Sequence, residues 1–159
     1  MKYYIIGVIV VIILVTGCLY LFFGRKDNKK ELKDLTSLRF HYTSGYAMYA
    51  YTTYEIKYDN KYTITIKPYG IPDEEAKTYD ISEEEINKIL NVLNKYNVIK
   101  WDGFSKSNKD VLDGDSFSFS AYFKDGRSIS AHGYVSYPND YGDVKKELIE
   151  IFENGRKEL

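Results

Sequence analysis

Residues 116–137, SFSFSAYFKDGRSISAHGYVSY, alternate polar and apolar side chains on both sides of Lys124-Asp125-Gly126. A period of two marks strands with one buried and one solvated face, and a short polar break ending in glycine is hairpin chemistry. With Gly126 in the left-handed position of a three-residue loop, Phe123 faces Arg127, Ala121 faces Ile129 and Phe119 faces Ala131. Phe117, Phe119, Ala121, Phe123, Ile129, Ala131 and Val135 then share the buried face. The serines between them, with Tyr122, His132 and Tyr134, share the solvated one. A hairpin of this kind commits the chain to a sheet with one apolar side, and that side must be covered.

Two amphipathic segments supply the cover. In SEEEINKILNVLNKYN, Ser82 and Glu85 have capping-box spacing, and Glu83 and Glu84 complement the positive end of a helix. Ile86, Ile89, Leu90, Leu93 and Tyr96 then recur on one face. The second helix lies in PNDYGDVKKELIEIFENG, with Val144, Leu148, Ile151 and Phe152 as its stripe and Gly155 as its stop.

The remaining strand signals precede the first helix. SLRFHY (37–42) reads as one strand, and YAMYAYTTYEIKY (46–58) with KYTITIK (61–67) as a hairpin. A three-residue loop Tyr58-Asp59-Asn60 pairs Ile56 with Tyr62 and Tyr54 with Ile64, which keeps one face apolar. KTYDI (77–81) and VIKW (98–101) read as short strands. The order is strands, helix, strands, helix. The expected fold is α+β: one twisted antiparallel sheet of about five to seven strands, with two helices packed on one face. Residues 36–159 form this single domain. No glycine-rich strand-to-helix turn is present, which argues against nucleotide-binding α/β folds.

Ahead of the domain, Tyr3–Phe23 runs twenty-one residues without a charge, long enough to cross a bilayer as a helix. Within it, Val15-Thr16-Gly17-Cys18 looks like a bacterial lipobox, in which the cysteine is lipidated. Leu19-Tyr20-Leu21-Phe22-Phe23 continues the apolar run past that cysteine, where a mature lipoprotein usually turns polar. Residues 1–23 are therefore read as a single-pass transmembrane anchor, with a lipid on Cys18 as the alternative, and residues 24–35 as a charged tether. The lysines and arginine after the span would keep the domain in the cytoplasm by the positive-inside rule. The signal-like start and lipobox-like ending place it outside, and an extracytoplasmic domain at the cell membrane is the expected location.

Composition removes several function classes. The net charge of −1 offers no basic field for nucleic acid. Cys18 is the only cysteine, so the domain has no disulfide framework. Two histidines with no Cys/His spacing argue against zinc, and no cofactor is implied. Asp110, Asp113 and Asp115 do not match a calcium loop, and Asp113-Gly114 reads as turn chemistry.

Two surfaces remain as candidates for binding. One is the tyrosine-rich early strands, with Tyr42, Tyr46, Tyr49 and Tyr51; the chain holds seventeen tyrosines in all. The other is the long segment WDGFSKSNKDVLDGDS (101–116), with Trp101, Asp102, Phe104, Asp113 and Asp115. Long ordered loops often carry binding, and aromatic clusters supply contact area at small entropy cost.

Trp101-Asp102-Gly103-Phe104, Val111-Leu112-Asp113-Gly114, Phe117, Asp125-Gly126, Gly133-Tyr134 and Tyr137-Pro138-Asn139 together resemble a pattern in uncharacterised membrane-anchored or lipoprotein-like proteins of low-GC Gram-positive bacteria. The resemblance covers residues 85–152 and implies location and fold rather than mechanism. The expected function is a membrane-tethered envelope module that binds a protein, peptide or glycan without catalysis. One alternative is a hydrolase using Asp102, Asp113, Asp115 or His132; another is a tethered inhibitor or immunity-type protein.

Overall fold

The computed structural model of the chain describes residues 31–44 and 50–155, and the side chains of residues 44, 50, 51, 73 and 155 lie outside that description. The described residues form one seven-stranded sheet and two α-helices. The strands are β1 (Leu35–Ser44), β2 (Ala50–Asp59), β3 (Lys61–Pro68), β4 (Lys77–Asp80), β5 (Ser105–Ser107), β6 (Ser116–Phe123) and β7 (Ser128–Tyr134). The helices are α1 (Glu83–Lys95) and α2 (Tyr141–Gly155). Across the sheet the order is β4-β3-β2-β1-β6-β7-β5.

The second hairpin folds as its alternation predicts. Ala121 pairs with Ile129 and Phe119 with Ala131, and Gly126 takes φ 85°. Val135 leaves the expected face. Its φ of 47° turns the chain after β7 and leaves its side chain half-buried. Gly133 is required beside it, because a Cβ there would overlap the Ser136 carbonyl oxygen and lie 2.7 Å from the Phe117 ring.

The first hairpin differs from expectation by two residues. Asp59 pairs with Lys61 and Asn60 alone turns the chain, at φ 59°. Ile56 therefore meets Ile64, and Tyr54 meets Ile66. The expected register would have set Ile66 against Thr52, so the shift gains an apolar pair. A two-residue slip keeps every side chain on its face, which is why the buried set is unaffected.

The sheet is mixed rather than purely antiparallel. β5 runs parallel to β7, with Ser105 opposite His132 and Ser107 opposite Tyr134. It lies inside the segment read as a loop, which is thus partly an edge strand. VIKW is not a strand but a 3-10 turn, Val98–Trp101, entered through Asn97 at φ 53°. The turn carries Val98 and Trp101 into the core, where they are 0% and 3% exposed.

Both helices cover one face. The Ser82–Glu85 capping box is complete: Ser82 Oγ accepts from Glu85 N–H at 3.2 Å, and Glu85 Oε2 accepts from Ser82 N–H at 2.9 Å. Ile86, Ile89, Leu90, Val92 and Leu93 from α1, and Val144, Leu148 and Phe152 from α2, are buried with the inward residues of the strands. Tyr54 lies under α2, its ring 4.6 Å from Phe152 and its hydroxyl donating to Glu153 at 2.9 Å.

Residues from Leu32 onward form one compact unit. Leu32 and Leu35, read from sequence as part of the tether, are buried in the core. Asn94 on α1 accepts from Leu32 N–H at 2.7 Å and donates to Leu32 C=O at 2.9 Å. Among the described residues no helix is long and apolar enough to cross a membrane. The run Tyr3–Phe23, with Cys18, lies outside the described residues.

Candidate functional site

The face of the sheet away from the helices carries no covering layer among the described residues. Register sets its composition. Arg39 pairs with Glu55 and Ser120, and Glu55 with Thr65. In the next row Lys67, Thr53, His41, Ser118, His132 and Ser105 lie side by side on β3, β2, β1, β6, β7 and β5. Neighbouring strands are about 4.8 Å apart, so this row is a polar strip about 24 Å long. Both histidines of the chain lie on it, on either side of Ser118.

The sheet's twist hollows this face into a trough of about 710 Å³ over β1, β2 and β3, with Ala76 on its rim and Ser118 at its β6 end. Thr53 forms the floor and is only 9% exposed, and its Oγ1 lies 2.8 Å from His41 Nδ1. Burial, and then the Arg39 guanidinium nearby, holds the His41 imidazole below its ordinary pKa. Lys57 bridges Glu55 at 3.1 Å, whereas Arg39 has no ion-pair partner among the described residues. The trough is lined by the Arg39 guanidinium, the Lys67 ammonium, the Glu55 carboxylate, the His41 imidazole and a bed of hydroxyls. That set suits hydrogen bonding and charge pairing.

The candidates chosen from sequence fall elsewhere. Tyr42 lies on the helix side, its ring 5.5 Å from Phe40, with Lys145 Nζ 4.0 Å from its centroid. Tyr46 and Tyr49 lie outside the described residues; Tyr51, on β2, pairs with Thr43 of β1, and its side chain is not described. Trp101 is buried, with Nε1 donating to Asn139 C=O at 3.1 Å. Phe104 is half-buried, 6.1 Å from Phe117.

Asp102 Oδ1 accepts from Ser130 N–H at 2.9 Å, so this carboxylate holds the edge of β7. Asp113 is exposed in the loop, and the Asp115 carbonyl accepts from Val135 N–H at 2.9 Å. Ser118 pairs with His132 in register, and His132 Nε2 sits 2.8 Å from Ser105 Oγ. No group of three or more His, Cys, Asp or Glu among the described residues could hold a metal ion.

Ala76 apart, the residues that line the trough come from four strands and form no contiguous motif in the sequence. A signal did exist: in LRFHY and TTYEIK, Arg39, His41, Thr53 and Glu55 alternate with apolar residues just as the serines of β6 do. Compared with family models and with curated proteins, the chain matches none.

Proposed function

We propose that the chain is a membrane-tethered envelope module that binds a protein, peptide or glycan on the open face of its sheet. The apolar run Tyr3–Phe23 supports the tether, as a span or as the leader to a lipidated Cys18. The resemblance of the short motifs between Trp101 and Asn139 to membrane-anchored and lipoprotein-like proteins of low-GC Gram-positive bacteria is the ground for proposing an envelope location. The observation that carries the binding reading is the trough itself: a concave polar surface with a sunken Thr53 floor and an Arg39 that has no ion-pair partner among the described residues.

The test is recovery of a partner from solubilised membranes with the tagged full chain. Arg39→Glu should lose the partner, and Lys88→Glu, on the helix side, should keep it. Recovery that Arg39→Glu leaves untouched contradicts the assignment of the face. A tethered inhibitor or immunity-type protein would use the same surface, with the incoming toxin or protease as its partner. A hydrolase draws no comparable support, because Asp102 and His132 are each engaged by a different neighbour.

A further inference from the structure

A second concavity shares no lining residue with the trough. It lies between the end of α1, the Val98–Trp101 turn, the β5 segment and the turn Tyr137–Asp140, and encloses about 420 Å³. That is the volume range of small-ligand pockets. We propose that this cleft binds one ring of an acidic saccharide.

One wall is a fixed aromatic platform. Tyr137 stacks on Tyr141 at 4.7 Å with the planes 18° apart, and lies 5.9 Å from Phe117. Those rings rest in turn on Trp101. Tyr137 remains 39% exposed while the rings behind it are buried. A ring held this way offers a flat apolar surface with little rotamer freedom left to lose on binding. The C–H face of a pyranose has the matching shape and polarity.

The rim supplies charge. Lys100 and Lys106 are exposed, and neither ammonium has an ion-pair partner among the described residues. Lys106 Nζ lies 5.4 Å from the centroid of the Phe104 ring. Asp140 is the one acid among the lining residues, so the cleft has a net positive rim. The amides of Asn97 and Asn139 bring donors and acceptors of the kind sugar hydroxyls exchange with. Asn97 and Asp140 also hold left-handed backbone, at φ 53° and 61°. Asn and Asp take that conformation more readily than other residues with a side chain, and here it shapes the two turns that line the cleft.

The chain contains a single tryptophan, and it lines this cleft, so intrinsic fluorescence reads occupancy directly. The probes are tri-galacturonate, its methyl ester, which keeps the rings and cancels the charge, and benzoate. The acid should produce a saturable change in Trp101 emission, with the ester at least tenfold weaker. Lys100→Gln with Lys106→Gln should reduce the acid to the ester's affinity, and these exposed changes leave the fold intact. Tyr137→Ala should lose both sugars, while Tyr137→Phe, which keeps the ring, should retain them. Absence of any change at millimolar acid overturns the proposal, as does equal binding of acid and ester or displacement of the sugar by equimolar benzoate.

Discussion

Asn94 grips the main chain of Leu32 by both of its polar groups, accepting from its N–H at 2.7 Å and donating to its C=O at 2.9 Å. One side-chain amide thus does what a neighbouring strand would do, sixty-two residues away in sequence. It fastens the start of the folded unit to α1 and lets Leu32 and Leu35 enter the core. Asn94→Ala leaves two half-buried backbone groups unpaired, at a cost of about 1–3 kcal/mol. Thermal unfolding of the purified chain should show a midpoint lower by roughly 5–10 °C. Asn94→Asp should be no better than alanine, because it sets an oxygen against the Leu32 carbonyl.

His41 makes stability depend on pH. Burial and then Arg39 lower its pKa in the folded state, from an ordinary value of 6.5. The unfolded chain therefore takes up a proton at higher pH than the folded chain does. This contribution is complete above the ordinary value and declines as pH falls below it, until the folded pKa is passed. His41→Gln should reduce the loss of melting temperature between neutral and mildly acidic buffer. An identical loss in variant and parent would show that His41 does not couple to folding.

Gly133 admits no side chain. A Cβ would collide with the Ser136 carbonyl and crowd Phe117, and backbone cannot move aside as a side-chain tip can. Gly133→Ala should cost roughly 2–4 kcal/mol, seen as a drop in the urea midpoint with little change in slope. Gly142→Ala, where nothing lies within 4 Å of the added carbon, is the control and should be neutral or slightly stabilising.

Ser82→Ala removes the acceptor for Glu85 N–H and half of the reciprocal cap on α1. A loss of about 1 kcal/mol is expected. Hydrogen exchange should locate it in the first turn of α1 rather than across the sheet.

The anchor is tested by protease shaving of intact cells, with and without an inhibitor of signal peptidase II. An external, uncleaved span predicts digestion of the domain and no change in mobility with the inhibitor. A precursor that accumulates under the inhibitor assigns Cys18 as the lipidated residue. A domain protected in intact cells contradicts the extracytoplasmic location.

Much of the scaffold could be read from residue order because its signals are local. Gly126 after Lys124-Asp125 set the second hairpin, and Ser82 with Glu85 set the start of α1. The first hairpin came out two residues off because Asp59 and Asn60 suit several loops, and the pairing of Ile66 with Tyr54 decides among them only at long range. The open face was harder still. Arg39, Thr53, Lys67 and Ser118 are neighbours only once β1, β2, β3 and β6 are in register, and no local pattern encodes that alignment. The aromatic candidates lie off the trough for a physical reason. Trp101 and Tyr42 carry large apolar bodies with one polar tip or edge, and folding buries such groups wherever that polar end can be satisfied. Trp101 meets this with the Asn139 carbonyl, whereas Tyr42 stays half-buried, with the Lys145 ammonium over the face of its ring.

The central claim is that the hollow side of the sheet is where a partner sits. A photo-crosslinking phenylalanine analogue placed at Thr65 or at Ser118, and separately at Glu84 on α1, tests this in living cells. The account predicts one discrete adduct from Thr65 and Ser118 that disappears with Arg39→Glu, and none from Glu84. Adducts from Glu84 alone, or trough adducts indifferent to Arg39→Glu, would contradict it.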